Sequence, residues 1–207
     1  MNVFETEADR YDEWFENHPI AYQSELAAIR ELLPKTGRGV EIGTGTGRFS
    51  IPFGISEGVE PAQAMRKIAQ TRGLNIQNAQ AENLPFSDNL FDFALMITTL
   101  CFVEKPLRAF QEAVRILKPT GKLLVGLVDL DSNLGKEYER QKANSPFYRH
   151  ARFFSASETI QLLDQAGFCN FRCRQTLFQP LERLTDQEVP QKGFGEGGFV
   201  VISGERP

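Results

Sequence analysis

Three glycines at alternate positions, Gly43-Thr44-Gly45-Thr46-Gly47, stand directly behind the short run Val40-Glu41-Ile42. Few folds place such a loop there. Without side chains, the glycines let the backbone turn tightly and let a ligand approach it closely, which suits a strand-to-helix turn in an α/β sheet. A short helical turn over Arg48-Phe49-Ser50-Ile51 and a second strand near Ile55–Glu60 follow. Glu60 closes that strand, where a carboxylate can accept both hydroxyls of a ribose. Glu41, just ahead of the glycines, would be awkward beside a pyrophosphate but suits a ligand carrying an amine or a sulfonium. Arg48 stands where the dinucleotide fingerprint wants a sixth-position glycine, and the phosphate-binding Gly-Lys-Ser/Thr loop is absent.

The rest of the chain alternates strands with helices. Leu26, Ile29, Leu32 and Leu33 repeat at helical spacing before Pro34, and residues 1–34 are expected to form an N-terminal helical cap. Pro61 is suited to the first turn of a helix running to about Thr71. Leu74–Ala79 is a third strand candidate, and Phe91–Ile97 has the length and composition of a buried strand. Leu107, Phe110, Val114 and Leu117 share one side of the helix over 104–117; Lys118–Gly121 reads as a turn before a strand over 122–130. The charges Lys105, Arg108 and Arg115 read as a solvated face of that helix. Residues 131–154 read as a helix and loop inserted over the substrate side. Ser155 and Glu158 have capping-box spacing for a helix to Ala166. Two strands, Phe168–Phe178 and Gly198–Ser203, joined by a long loop over 179–196, read as an antiparallel edge hairpin. Strand–helix alternation predicts a parallel sheet with helices on both faces.

Composition removes other classes. The 207 residues carry 23 Lys+Arg and 27 Asp+Glu, a net charge of −4, with 41% hydrophobic residues. This fits one globular domain over 1–207 and argues against disorder or a nucleic-acid partner held by net charge. With neither a signal-peptide core nor an 18-residue apolar run, a cytoplasmic protein without a membrane partner is expected, as a monomer or homodimer. Cys101, Cys169 and Cys173 offer neither a disulfide framework nor metal-ligand spacing, so no metal is expected.

The ordered set Glu41–Gly47, Gly58-Val59-Glu60-Pro61, Ala81-Glu82-Asn83-Leu84-Pro85-Phe86, Phe91-Asp92-Phe93-Ala94 and Arg115–Gly121 resembles the class I S-adenosylmethionine-dependent methyltransferases, and among them the small ubiquinone/menaquinone-biosynthesis-like group. The resemblance covers about residues 35–130. It implies a Rossmann-like three-layer sandwich whose seven-stranded, mostly parallel sheet runs 3-2-1-4-5-7-6, with strand 7 antiparallel. It implies S-adenosyl-L-methionine as cofactor, S-adenosyl-L-homocysteine as product and a small-molecule methyl acceptor. By resemblance, Glu41 and Gly43 hold the methionine end, Gly45 and Gly47 shape the loop, Glu60 with Pro61 meets the ribose, Ala81 and Glu82 flank adenine, and Thr98 meets the sulfonium. Tyr11 closes over the cofactor. Phe15, Thr99, Tyr138, Tyr148 and Phe153 are acceptor-side candidates, because aromatics at the carboxyl ends of parallel strands favour a small organic ligand. Gln80 departs from the family's usual Asp or Asn before the Ala-Glu pair. His18 and His150 are the candidate general bases. A nicotinamide-dependent oxidoreductase and a non-catalytic adenosyl-binding protein are the competing readings. The absence of an Asn/Asp-Pro-Pro-Tyr/Phe segment at Thr98-Thr99-Leu100-Cys101 disfavours methylation of amide or base nitrogens.

Overall fold

In the computed structural model, which describes residues 3–207, eight strands form one sheet in the order β3-β2-β1-β4-β5-β8-β6-β7. The strands are β1 (Gly39–Ile42), β2 (Glu57–Val59), β3 (Asn75–Gln77), β4 (Phe91–Ile97), β5 (Leu117–Val128), β6 (Cys169–Thr176), β7 (Gln191–Lys192) and β8 (Phe199–Glu205). The first five pair in parallel, and β8 inserts antiparallel between β5 and β6. This is the Rossmann-like order that the family resemblance implies, with one correction. The two-residue β7 adds an eighth strand on the outer edge of β6, within the stretch read as loop. Two residues carry no periodicity, so only the pairing reveals them.

Helices cover both faces because the central strands bury alternate residues in opposite directions. In β4, Phe93, Leu95 and Ile97 face one core while Ala94 and Met96 face the other; in β8, Phe199 and Val201 oppose Val200 and Ile202. Among the helices are α1 (Val3–Thr6), α2 (Ala8–Asn17), α3 (Pro19–Leu32), α4 (Gln63–Thr71), α5 (Pro106–Ile116), α6 (Asn133–Gln141) and α7 (Ala156–Ala166). Leu26, Ile29 and Leu32 of α3 join the Phe93 side; Phe110 of α5 and Leu163 of α7 join the Met96 side. Ser155 caps α7 by accepting the Glu158 N–H at 3.1 Å, and Gly167 ends it in the left-handed region.

Some boundaries move for local reasons. The α4 helix opens at Gln63 rather than Pro61, because the Ala62 N–H donates to Glu60 Oε1 at 2.8 Å and leaves Pro61 in the preceding turn. Glu5 supplies the helix N-terminus instead, accepting the Gln63 and Ala64 N–H groups at 2.7 and 3.0 Å. Thus the N-terminal segment is tied to the β2–α4 connection. The β5 strand starts at Leu117 and takes in the stretch read as a turn, with Thr120 at φ 63°. Arg115 is no solvated charge. Its guanidinium donates to the Leu84 and Phe86 carbonyls at 2.9 and 2.6 Å and pairs with Glu112, which accepts the Leu84 N–H. Helix periodicity locates Arg115 on α5 but not the loop it clamps.

Candidate active site

The carboxyl ends of β1, β2 and β4 open onto a cleft of about 730 Å³. The glycine loop forms its floor. Gly43 and Thr44 donate their N–H groups to the Val59 carbonyl at 2.9 and 3.0 Å, which binds the loop across to β2. Gly43 has φ +76°, and a Cβ there would lie 2.3 Å from Thr99 Cγ2. No other residue fits. Gly45, at φ +57°, faces the Tyr11 ring, and its N–H donates to Glu60 Oε2 at 3.0 Å. Both Glu60 oxygens therefore hold backbone N–H groups while the side chain borders the cleft. Burial raises the Glu60 carboxyl against the lowering effect of those two bonds.

Of the sequence-derived cofactor set, Gly43, Gly45, Glu60, Pro61, Ala81, Glu82, Thr98 and Tyr11 border this cleft. Glu41 and Gly47 do not. Glu41 is 1% exposed behind the loop and accepts the Ser50 hydroxyl; burial pushes its carboxyl up to about 8, with the Glu60 charge adding to it. Gly47 turns away toward Leu74 and Ala69. The Arg115–Glu112 clamp fixes the segment carrying Ala81 and Glu82, and Glu82 Oε1 accepts the Lys105 N–H at 3.1 Å.

Thr98 is the hinge of the site. It takes φ 51°, an uncommon conformation for a β-branched residue, just past the end of β4, with its N–H held by the Gly126 carbonyl at 2.8 Å. Thr98, Tyr11, Phe4, Phe102 and Phe147 border both the cleft and a second, aromatic chamber of about 110 Å³. Phe15, Tyr138 and Tyr148 line the chamber as well, so α2, β4 and the 131–154 insertion meet there. Tyr11 and Phe15 are one helical turn apart, with ring centroids at 5.3 Å; Tyr138 and Tyr148 are also 5.3 Å apart. Thr99 stays on the cleft side, donating to the Gly43 carbonyl at 3.2 Å. Phe153 sits behind Tyr148 in the wall, 6% exposed. His150 lies on the exposed rim of the cleft. His18 borders neither space: its ring stacks on Trp14 at 4.7 Å and its Nδ1 contacts the Trp14 carbonyl.

Two contributions escaped the sequence reading. Asp12 lies on the α2 face beside Tyr11 and Phe15. Its carboxylate accepts bonds from Thr46 at 2.6 Å, from Arg48 Nε at 2.8 Å and from both Arg72 terminal nitrogens at 2.8 and 2.6 Å. Burial raises the Asp12 carboxyl, but the bonds from Arg72, Arg48 and Thr46 outweigh it and hold it well below the usual carboxylate range. So Arg48, the residue that breaks the dinucleotide fingerprint, straps the N-terminal helix to the glycine loop. The second is Glu25, on α3, whose side chain borders the chamber. No motif marks either residue; the surroundings of each come from segments distant in sequence.

The cleft fits an adenosyl cofactor on its own terms. It has room, a close backbone floor, a carboxylate on the second strand and acidic rather than phosphate-seeking surroundings. Fold and cleft together define a class I methyltransferase. Comparison with known proteins agrees: the methyltransferase-domain family matches residues 14–171. A crystal structure from Thermotoga maritima, described as a SAM-dependent methyltransferase and possible histamine N-methyltransferase, superposes with TM-score 0.97 at 52% identity, covering 99% of each chain. The uncharacterized protein MJ1123 of Methanocaldococcus jannaschii is 48% identical over the full length of both chains. The ubiquinone/menaquinone biosynthesis C-methyltransferase of Rickettsia felis is 27% identical over 132 residues, 64% of this chain and 48% of its own. The chain belongs to the methyltransferase-domain family, as a class I enzyme dependent on S-adenosyl-L-methionine. This sets aside the nicotinamide and non-catalytic readings. Membership in the quinone-biosynthesis group does not follow from so partial a match. Among the described residues no helix is long and apolar enough to cross a membrane.

Proposed function

We propose that the enzyme methylates a small-molecule acceptor bound in the aromatic chamber while the cofactor lies in the cleft, the two meeting at Thr98 and Tyr11. The observation that carries this reading is the shared wall: the same residues border both spaces. When bound, the cofactor supplies a methyl group on a sulfonium, so the protein's task is orientation and electrostatics. Glu60 receives the ribose, with its carboxylate already aligned by the Gly45 and Ala62 N–H groups. Pro61, Ala81 and Glu82 flank the base, and Gly43 and Gly45 admit the methionine end. Glu41 acts from behind the loop, as a buried acid that favours a cationic ligand in front of it. The N-terminal cap and the 131–154 insertion close the chamber with Tyr11, Phe15, Tyr138 and Tyr148, keeping water from the reacting atoms.

Calorimetric titration with S-adenosylhomocysteine tests the cofactor half. Glu60→Ala removes an acceptor of charge-assisted bonds, each about 1.5–3 kcal/mol, so affinity falls about tenfold to a hundredfold. Unchanged affinity refutes the ribose assignment. Tyr148→Ala should impair acceptor turnover more than cofactor affinity; equal loss of both argues against an acceptor chamber.

A further inference from the structure

Glu25 is an acid in an aromatic room. Its side chain is 4% exposed and borders the chamber together with Tyr11, Phe15, Tyr138 and Tyr148. Among the described residues no hydrogen bond or ion pair reaches its carboxylate, and no other carboxylate and no Lys, Arg or His lines the chamber. Burial alone acts on its titration, pushing the carboxyl up to about 8. Burial raises the surrounding phenols; Glu25 is the next contribution at Tyr138, and a smaller one at Tyr11, behind Glu41 and Glu60, and at Tyr148.

A buried carboxylate without a partner costs several kcal/mol, so structural packing gives no reason for one here. Leu or Gln would fill the same position on α3. The arrangement acquires a reason if the occupant is positively charged. A cation next to the carboxylate offsets its lost hydration, and ring faces attract the same cation through their quadrupoles. A neutral occupant gains neither. Resting on the chamber's role as acceptor site, we propose that the acceptor is a small organic amine whose ammonium group binds in the aromatic chamber as a recognition element, the methyl going to another atom of the acceptor that has a free lone pair, with Glu25 as counter-ion and the Tyr11, Phe15, Tyr138 and Tyr148 rings as walls. Glu25 is absent from the border of the cofactor cleft, whose acids are Glu7, Glu60, Glu82 and Glu104. It is therefore assigned to the acceptor, not to the cofactor's sulfonium. The chamber's volume of about 110 Å³ restricts the group it receives to a small one.

The test compares amines with alcohols of the same carbon frame, for instance histamine with imidazole-ethanol, by calorimetry on the full chain saturated with S-adenosylhomocysteine. The amine should bind at least about tenfold tighter than the alcohol, as a desolvated charge pair with ring contacts implies. Glu25→Gln, which keeps size and shape, should erase that preference. The same variant should leave affinity for both S-adenosylmethionine and S-adenosylhomocysteine unchanged. Equal binding of amine and alcohol, a preference that survives Glu25→Gln, or no amine binding overturns the proposal. So does a selective loss of S-adenosylmethionine affinity in Glu25→Gln, which would make Glu25 a counter-ion for the sulfonium. Failure of S-adenosylhomocysteine to bind at all would instead remove the cofactor reading, and amine binding to the ligand-free chain would then be measured separately.

Discussion

Replacing Asp12 by Asn should loosen the N-terminal helix from the glycine loop. The Asp12 side chain is 16% exposed, and its arginine partners Arg48 and Arg72 are 18% and 27% exposed. Removing one partner of a fully buried ion pair costs about 3–5 kcal/mol. Here both arginines keep some water, and Arg48 keeps Glu16 at 2.6 Å, so the loss reduces to about 2–3 kcal/mol. For a chain of this size that corresponds to a fall in melting temperature of about 5–10 °C. The sign of the pH dependence adds a control. Asp12 is held below its unfolded pKa, so its stabilisation is fully present above that value, near 3.9, and is lost as pH falls toward the depressed folded value. The gap between wild type and Asp12→Asn should therefore be widest at neutral pH and narrow below about pH 4. Thermal melts followed by circular dichroism across pH 3–7 measure it. A fall under about 1 °C at pH 7, or a gap independent of pH, refutes the strap and its charge basis. Because Asp12 is on the helix carrying Tyr11 and Phe15, cofactor affinity should also drop in this variant.

Gly45→Ala meets only ordinary contact with Tyr11 at 3.5 Å, so its stability loss should stay near the left-handed penalty of about 1–2 kcal/mol. Titration should nevertheless show weakened S-adenosylhomocysteine binding, because the added methyl stands between loop and ligand; undiminished affinity would show that the ligand does not approach Gly45. Thr98→Gly should melt higher than Thr98→Ala by about 1 kcal/mol, since glycine relieves the positive φ and alanine does not; equal melts would show that the turn stores no strain. The Glu25 carboxyl titrates near 8 when folded, above its unfolded value, so the proton it binds favours the fold at low pH, and that advantage is lost as pH rises to about 8. Glu25→Gln should accordingly gain stability over wild type between about pH 4.5 and 8, by an amount on the order of a few kcal/mol, and level off above; a flat difference in denaturant midpoints would refute this.

Local sequence determined a large share of this protein. A strand's alternation, a helix's 3.6-residue period and glycines that must take positive φ are properties of neighbouring residues, so the order of elements, the turn at Gly43–Gly47 and the placement of Glu60 could be read directly. The edge hairpin at β6 and β8 was legible for the same reason, whereas the two-residue β7 was too short to carry a pattern. What the tertiary structure decided lies between segments far apart in the chain. Arg115 looked like a solvated helix charge until the loop at Leu84–Phe86 was seen against it. Asp12 is one acid among several on an acidic helix, and only packing brings Arg48 and Arg72 to it. Glu41, read as a cofactor contact, faces Ser50 behind the loop because β1 buries that side. Glu25 belongs to a helix whose apolar stripe was plain, but its burial among rings from four separated segments depends on how those segments pack. A residue's face is set by its neighbours in sequence; the dielectric and the partners it meets there are set by residues that only the folded chain brings near.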